Sequence, residues 1–480
     1  MTIQVQVKEE YVMEVRGNFM TRAECEKIHE MSVYVLEHVG VDFMEPYCRE
    51  VFKSHGAKVE GERVYISREM LENALSTAPE VFTVTGRNGK SVTVGKENQI
   101  LAPASGPLFV RRGNDRHRNT AEDYKNFQKI HHNSRVMDML NPNLIEPADI
   151  ARDIVRDYQM AVCLKYTDKP LIGLTTAPNH TINCIEMTQR FYGIKESVML
   201  GIINVISPLK YDDTMLEAVK ICAENHQPMM FACCSMPGAT SPITLSSTVV
   251  VNNAEVLAGI VYAQLLSPGI GVLYGNTSGG CDLRFVTPTI GSPELALFVF
   301  ASAAMAQYYK LPCRTGGALA DSKLVDWQCG VESTMTMMAS MISSSNFILH
   351  ACGVMESFST LSYEKFLLDE QNIEMLGKIT GGIQMYMDQE ELNNIAEVGP
   401  GGQYIDADHT LEYLHDELYT PKLFSKTAYA GWVNSGGKSA KQLAGEQIEE
   451  RIASYKPVEI TKEQEDVLVS YIGKDLYRSI

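Results

Sequence analysis

The stretch VMLGIINVISPLKYDDTMLEAVKICAEN, residues 198–225, decides the fold class of this chain. Its first ten residues are almost continuously apolar, which is typical of a parallel strand that is buried on both faces. Residues 213–225 then place apolar side chains at helical spacing. Because a parallel strand needs a crossover before its neighbour, this stretch predicts one strand–helix unit of an α/β fold.

The same alternation continues on both sides of this stretch. Apolar runs of strand type begin at residues 100, 136, 171, 198, 229, 269, 311 and 347, and a helical pattern follows each. Eight strand–helix units in about 270 residues favour a (βα)8 TIM barrel. An open doubly wound sheet is the alternative, but no G-x-G-x-x-G follows the first strand and no G-x-x-x-x-G-K-[ST] occurs.

Different patterns flank this region, so we expect three parts. Residues 1–96 predict an N-terminal helical cap with a small β element, because helical spacing over 22–38 follows the candidate N-cap Thr21 and short extended runs come next. Residues 97–372 form the predicted catalytic barrel. Residues 373–480 are helical and polar, and predict a C-terminal helical subdomain.

The composition excludes several classes of protein. The chain has 480 residues, of which 45% are hydrophobic and 21% charged, as in ordinary globular proteins. Its 42 Lys and Arg against 59 Asp and Glu give a net charge of −17, which argues against binding to nucleic acid or to an anionic membrane surface.

The sequence also predicts a cytoplasmic protein. The N-terminus lacks the apolar core of a signal peptide, and the apolar stretch 295–306 is too short to span a bilayer. The 11 cysteines are scattered without a C-x-x-C pair, so we expect them to be reduced and mostly buried.

Catalytic groups of a TIM barrel lie where its strands end, and two such positions carry informative side chains. Arg314, in LPCRTGG, must pair with an acid or face a ligand, and its fork suits a carboxylate; a structural ion pair is the alternative. His350, in FILHACG, is either a core histidine or a group of the site.

The aromatic residues Tyr274, Phe285 and Phe358 also follow predicted strands. Each alone is explained by packing. Together at a barrel mouth they would form a cage for a quaternary ammonium, which the faces of aromatic rings attract.

A metal site has few candidate ligands. Only Glu146 and Glu356 are carboxylates at suitable strand ends, and only Cys233, Cys234 and His350 offer zinc-type ligands. Adjacent residues of a strand face opposite sides, so the two cysteines cannot share an ion. We therefore predict no metal site.

Several longer segments resemble the trimethylamine methyltransferase (MttB) superfamily of corrinoid-dependent methyltransferases, nearly from end to end. They are VLEHVGVDF (35–43), GAKVEGERVYISREMLENALSTAPEVFTVTGRN (56–88), GVMESFSTLSYEKFLLDEQN (353–372), GGQYIDADHTLEYLHDELYTPKLF (401–424) and NSGGKS (434–439). This resemblance implies a (βα)8 barrel that passes a methyl group from an amine to the cobalt of a separate corrinoid protein.

The resemblance also limits the substrate class. The founding branch acts on trimethylamine and carries pyrrolysine, whereas the similar stretch here, ADSKLVDWQ (320–328), has ordinary Lys323, Leu324 and Val325. The branch without pyrrolysine is associated with glycine betaine, proline betaine and carnitine. A quaternary ammonium releases a neutral amine, so the transfer needs no proton and only requires that the cation be held in line with cobalt.

We therefore expect a quaternary amine:corrinoid methyltransferase. Its predicted site has His350 and Glu356 as catalytic residues and Arg314, Tyr274, Phe285, Phe358 and Asn204 as substrate-binding residues. The corrinoid (cobalamin) is expected on a cognate partner protein, with no cofactor tightly bound to this chain, and we expect a homo-oligomer. The alternatives are a non-catalytic betaine-binding barrel and a TIM-barrel hydrolase that uses Glu356 and Glu146 as an acid/base pair.

Overall fold

The computed structural model describes residues 20–480. Its helices are Arg22–Tyr34, the π-helical turn Val35–Val39, Pro46–Ser54, Arg68–Thr77, Ala121–Asn133, Val155–Tyr166, Pro178–Tyr192, Asp213–Glu224, Leu245–Leu266, Pro293–Tyr309, Trp327–Ile342, Tyr363–Thr380, Gln389–Val398, Asp408–Glu417, Tyr429–Asn434, Ala440–Ala453, Lys462–Ile472 and Lys474–Arg478. The strands outside the central sheet are Val41–Phe43, Lys58–Glu60, Arg63–Tyr65, Val81–Thr85, Ser91–Gly95, Phe109–Arg112, Asp115–Arg118, Lys210–Tyr211, Gly280–Asp282, Thr287–Thr289, Val354–Met355 and Thr360–Ser362.

The central sheet is parallel and has seven strands. In chain order they are Ile100–Leu101, Leu171–Ile172, Met199–Asn204, Met229–Cys233, Val272–Asn276, Cys313–Gly316 and Phe347–Leu349. We number them barrel strands 1 and 3 to 8. Strand 1 pairs with strand 8, and the others follow in descending order to strand 3, so the sheet curls until its two edges face each other.

Residues 138–140 close the gap between the two edges and take the place of strand 2. Leu140 forms a parallel bridge with Leu171, and the Asp138 backbone N–H donates to the Leu101 carbonyl at 2.9 Å. Leu101 in turn donates its N–H to the Asp138 carboxylate at 2.8 Å. The predicted run 136–145 shortens to this contact because Pro142 has no N–H to continue a ladder.

The predicted α/β barrel is therefore confirmed. Large apolar side chains fill its lower half, including Leu200, Met230 and Phe347. The hairpin formed by Val81–Thr85 and Ser91–Gly95 plugs the N-terminal end, because Val84 and Val94 belong to the same buried cluster. The opposite end, where the strands terminate at their carboxyl ends, is the mouth.

A four-stranded sheet stands beside the mouth and contains residues predicted as part of the first barrel run. Phe109–Arg112 pairs with Asp115–Arg118 on one side and with Thr360–Ser362 on the other, and Val354–Met355 forms the far edge. We call this the mouth sheet. It joins the segment after strand 1 to the segment after strand 8.

Helices from both ends of the chain pack on the outside of the barrel. Arg22–Tyr34, capped by Thr21 and Glu24, and Arg68–Thr77 contact the buried helix Leu245–Leu266. Ala440–Ala453 contacts Tyr363–Thr380. The predicted helical and β elements of the cap and the C-terminal helices are present, while the boundaries at 96 and 372 stay a prediction.

The helix Leu245–Leu266 is long and apolar enough to cross a membrane by length and composition alone. However, 83% of its most apolar window is buried inside the fold, as in a core helix. All eleven cysteines are free, and nine of them are buried.

Candidate functional site

Arg314 points into the barrel near the mouth. The two neighbours of Arg314 face outward, since Cys313 belongs to the outer core and the Thr315 hydroxyl donates to Ser340 of a surrounding helix at 3.0 Å. Alternation along a strand therefore turns Arg314 inward. Gly275 of the adjacent strand makes room for it, because a Cβ there would lie 3.3 Å from the Arg314 Cδ.

The guanidinium of Arg314 is buried without a counter-ion. It is 2% exposed, and Nη1 donates to the Asn276 carbonyl at 2.9 Å, but Nε has no partner and no carboxylate of residues 20–480 pairs with it. Burial lowers the pKa of Arg314 to about 10, so the group stays cationic at neutral pH. A buried, unpaired cation is expensive to maintain, which marks it as a group that receives an anion.

Two solvent-exposed side chains show that the mouth is open above Arg314. Asn204 ends strand 4 on the same face as the interior residues Leu200 and Ile202, and Cys234 follows strand 5 on the face of Met230. Both Asn204 and Cys234 are exposed although they belong to barrel strands. Water therefore reaches the upper interior of the barrel.

His350 lies directly after strand 8 and is buried beside Arg314. The Ser105 backbone N–H donates to its Nδ1 at 3.3 Å, so in the neutral ring the proton sits on Nε2. Burial, with a further contribution from Arg314, lowers the pKa of His350 well below its usual range. The ring is therefore neutral at physiological pH and adds no positive charge to the site.

The segment after strand 8 brings Phe358 against this histidine. The two ring centroids are 5.0 Å apart, and Phe358 is half-buried. Glu356, Ser357 and Phe358 all have φ between 51° and 71°, the left-handed region that favours glycine. Three consecutive residues in this conformation are strained, and such strain concentrates at functional sites.

Glu356 holds the mouth sheet together instead of facing the barrel interior. Its carboxylate accepts from Arg111 Nη2 at 3.1 Å, from Arg116 Nε at 2.8 Å and from the Thr360 hydroxyl at 2.9 Å. Burial would raise its pKa, but the hydrogen bonds from Thr360, Arg116 and Arg111 lower the pKa below its usual range. The carboxylate is therefore ionised and fully used, so we propose that Glu356 is a positioning residue.

Replacing Glu356 with Ala should lower the free energy of unfolding by about 2–4 kcal/mol, because two guanidinium groups lose their shared counter-ion. Glu356→Gln is the matched control and should lose less, since its amide oxygen still accepts. Because the folded-state pKa is depressed, the stabilisation by Glu356 should disappear as the pH falls through that pKa. Urea unfolding of the three proteins measures both effects. An unchanged unfolding free energy in Glu356→Ala would contradict this role.

The structure places two predicted cage residues away from Arg314. Tyr274 faces outward: its hydroxyl donates to Asn253 of Leu245–Leu266 at 2.9 Å, and its side chain is 2% exposed. Phe285 lies at the tip of the hairpin after strand 6 and is 72% exposed, with Arg284 over its ring. Tyr274 therefore cannot reach a ligand in the mouth, and Phe285 belongs to the rim.

The other predicted contacts of acids and thiols are also defined. Glu146 pairs with Arg156, so neither carboxylate of the hydrolase alternative is unpaired. Cys233 faces the outer core while Cys234 faces the mouth, as alternation predicts. No group of three or more His, Cys, Asp or Glu among the described residues is placed to hold a metal ion.

Asp321, which the sequence interpretation did not single out, ties three loops of the mouth together. It lies after strand 7 and accepts from the Ile290 and Gly291 backbone N–H groups at 2.9 Å each. The Ser357 hydroxyl donates to the same carboxylate at 2.7 Å. Only its position at a strand end could have indicated this role, because the partners lie far apart in sequence.

Glu255 is a second buried acid near the mouth loops. It lies on Leu245–Leu266 and accepts from the Leu209 N–H at 2.8 Å and the Ser207 hydroxyl at 3.0 Å. Burial is the main cause that raises the pKa of Glu255 to about 7, and the two hydrogen bonds offset it in part. Ser207 also accepts from Ser235, so this carboxyl group is connected to the loops after strands 4 and 5.

This raised pKa predicts how stability depends on pH. The unfolded chain releases the Glu255 proton near pH 4.5 while the folded protein keeps it to about pH 7, so its contribution to stability falls between these values. Glu255→Gln removes this loss and should be more stable than the parent at pH 8 by about 2–3 kcal/mol, but not at pH 4.5. Urea unfolding across this range, with the exposed Glu397→Gln as control, tests it; parallel curves for parent and Glu255→Gln would contradict it.

Comparisons with known proteins agree with this architecture. The family model described as trimethylamine methyltransferase (MTTB) matches residues 5–476. The glycine betaine methyltransferase of Desulfitobacterium hafniense (strain Y51) is 38% identical over 465 residues, which cover 95% of this chain and 97% of that protein. The proline betaine:corrinoid methyltransferase of Eubacterium limosum is 34% identical over 473 residues, covering 95% and 97%.

A solved structure shares the fold at low sequence identity. The crystal structure of the Methanosarcina barkeri monomethylamine methyltransferase (MtmB) matches with a TM-score of 0.52 and 10% identity, covering 91% of this chain and 93% of that chain. The match of the family model over nearly the whole chain, together with the two relatives above, shows that this chain belongs to the trimethylamine methyltransferase (MTTB) family.

Proposed function

We propose that this chain is a corrinoid-dependent methyltransferase that moves a methyl group from a quaternary ammonium carboxylate, such as glycine betaine, to Co(I) of a corrinoid protein. The observation that carries the substrate class is Arg314, a buried cation with no acid partner at the floor of an open mouth. A betaine supplies the missing carboxylate, and the forked guanidinium fits it. The two relatives named for betaine substrates support the same class.

The surroundings of Arg314 suit the cationic end of such a substrate without supplying acid chemistry. His350 is neutral, and its Nε2–H is a donor for a substrate oxygen. Phe358 lies beside it and offers a ring to the ammonium group. When a methyl group leaves the quaternary nitrogen, the C–N electron pair stays on nitrogen and the product is a neutral tertiary amine. The chain therefore has to bind, orient and exclude water, but not to donate a proton.

The methyl acceptor must approach from above the mouth, because the hairpin at the other end closes the barrel. Large apolar side chains are exposed on loops that follow strands 1, 4, 5, 6 and 7: Leu108, Ile206, Ile243, Leu283, Phe285, Val286, Leu324 and Trp327. We call these residues the rim. Exposed apolar patches of this kind mark protein contacts, so we propose the rim as the docking surface for the corrinoid protein.

The experiment combines the protein, glycine betaine and chemically reduced cob(I)alamin, and follows methylation by absorbance and dimethylglycine by mass spectrometry. Release of dimethylglycine in step with cobalamin methylation is expected. The non-catalytic alternative, a betaine-binding barrel, predicts binding of glycine betaine in calorimetry without either product.

We also propose that the enzyme works in the cytoplasm on a small molecule, without nucleic acid or membrane. Free, mostly buried cysteines suit a reducing compartment. The net charge of −17 disfavours anionic polymers and surfaces.

A further inference from the structure

We propose that residues 382–445 form the interface of a homodimer with two-fold symmetry. This segment contains the helices Gln389–Val398, Asp408–Glu417 and Tyr429–Asn434, and none of the three has a buried residue. Helices of this length are marginal in water and gain most of their stability by burying one face. In this chain the three helices have no such face covered, so they need a partner surface.

The first part of the segment exposes many large apolar side chains. Those that are more than half exposed are Ile383, Met385, Met387, Leu392, Ile395, Ile405, Leu411 and Leu418. The elements that carry them pack together, since Tyr386 contacts Tyr413 at 5.1 Å between ring centroids and His409 contacts Glu391 at 2.9 Å. They therefore form one apolar surface, of the kind that monomeric proteins rarely leave in water.

The charges of the segment indicate that the partner is a second copy of this chain. Residues 382–421 contain nine Asp and Glu and no Lys or Arg, whereas residues 422–445 contain four Lys and no Asp or Glu. We call these the acidic block and the basic block. In a two-fold dimer each block meets the other one of the partner, because contacts between two positions are repeated in reverse. Both complementary pairs then form at once.

The location of the acidic block separates this interface from the methyl acceptor. The helix Tyr363–Thr380 starts beside the mouth, and its last residue lies near Lys310 and Asn346, which precede strands 7 and 8. Lys378 of the same helix donates to the Asp416 carbonyl at 2.9 Å. The acidic block therefore lies toward the closed end of the barrel, and a dimer formed there leaves the rim free.

Sedimentation velocity at micromolar concentration tests the proposal on the whole chain. The parent should sediment as a dimer of the 53.3 kDa chain, and Ile395→Asp combined with Leu411→Asp should sediment as a monomer. Trp327→Asp is the matched control: it places the same charge on an equally exposed apolar position at the rim and should remain a dimer. A monomeric parent, a dimer that survives the double substitution, or one that Trp327→Asp dissociates would each overturn the proposal.

Charge reversal tests the complementary blocks separately. Lys426→Glu with Lys441→Glu should weaken dimerisation about tenfold or more, while the corresponding Lys→Arg pair should leave it unchanged. Hydrogen exchange covers the case in which a variant folds poorly, because it needs only the parent. Amides of 389–417 should exchange more slowly as the parent concentration rises, and rates independent of concentration would overturn the proposal.

Discussion

Replacing Arg314 with Ala should lower kcat/KM for glycine betaine by about 30- to 1,000-fold. The substrate carboxylate would enter a desolvated site without its counter-ion, and such a loss costs about 2–4 kcal/mol. Choline carries the same trimethylammonium group without a carboxylate, so its weak turnover should change little. The measurement is the rate of cob(I)alamin methylation with each substrate.

A stability measurement distinguishes this role from a structural one. Because no acid of residues 20–480 pairs with Arg314, removing the cation relieves burial of an unpaired charge and should not lower the free energy of unfolding appreciably. Arg314→Lys keeps the charge but loses the fork, so its activity should be intermediate. Equal losses with glycine betaine and choline, together with lower stability, would show that Arg314 is structural.

The enzyme should turn over quaternary amines at least about 100-fold faster than dimethylglycine or trimethylamine, on leaving-group grounds. An unprotonated tertiary amine would have to leave as an amide anion, so it first needs a proton or an electrophile. The groups that face the mouth offer neither: His350 is neutral, Glu356 is held by two arginines, and 320–328 has ordinary residues.

Glycine betaine, proline betaine, carnitine, dimethylglycine and trimethylamine are compared at equal concentration with cob(I)alamin as acceptor. An inactive Arg314→Ala sample, run with every substrate, gives the background rate. Comparable rates for tertiary and quaternary amines would mean that the protein activates the leaving group by another route.

The barrel could be predicted from sequence because its strands are buried on both faces and therefore appear as continuous apolar runs. The exception is instructive: the run at 136–145 contributes only the contact around Leu140, because Asp138 and Pro142 interrupt backbone pairing. Likewise, the first run divides between strand 1 and the mouth sheet. Hydropathy indicates that a segment is buried, but not which partner it pairs with.

The site was predictable only in part, for the same reason. Strand alternation places Arg314 and Asn204 inward and could have placed Tyr274 outward, since Tyr274 is one residue from the interior Leu273. The partners of Glu356 could not be predicted, because Arg111 and Arg116 lie about 240 residues away in sequence. The role of Asp321 depends on equally distant contacts.

The central claim is methyl transfer from a quaternary ammonium compound to cobalt, and one measurement tests it most directly. Glycine betaine labelled in its methyl groups is incubated with the protein and cob(I)alamin under reducing, oxygen-free conditions, and both products are quantified. The account predicts one labelled methyl group on cobalamin for each dimethylglycine released, and no transfer without the protein. Dimethylglycine release without methylated cobalamin, or neither product with any quaternary amine tested, would contradict it.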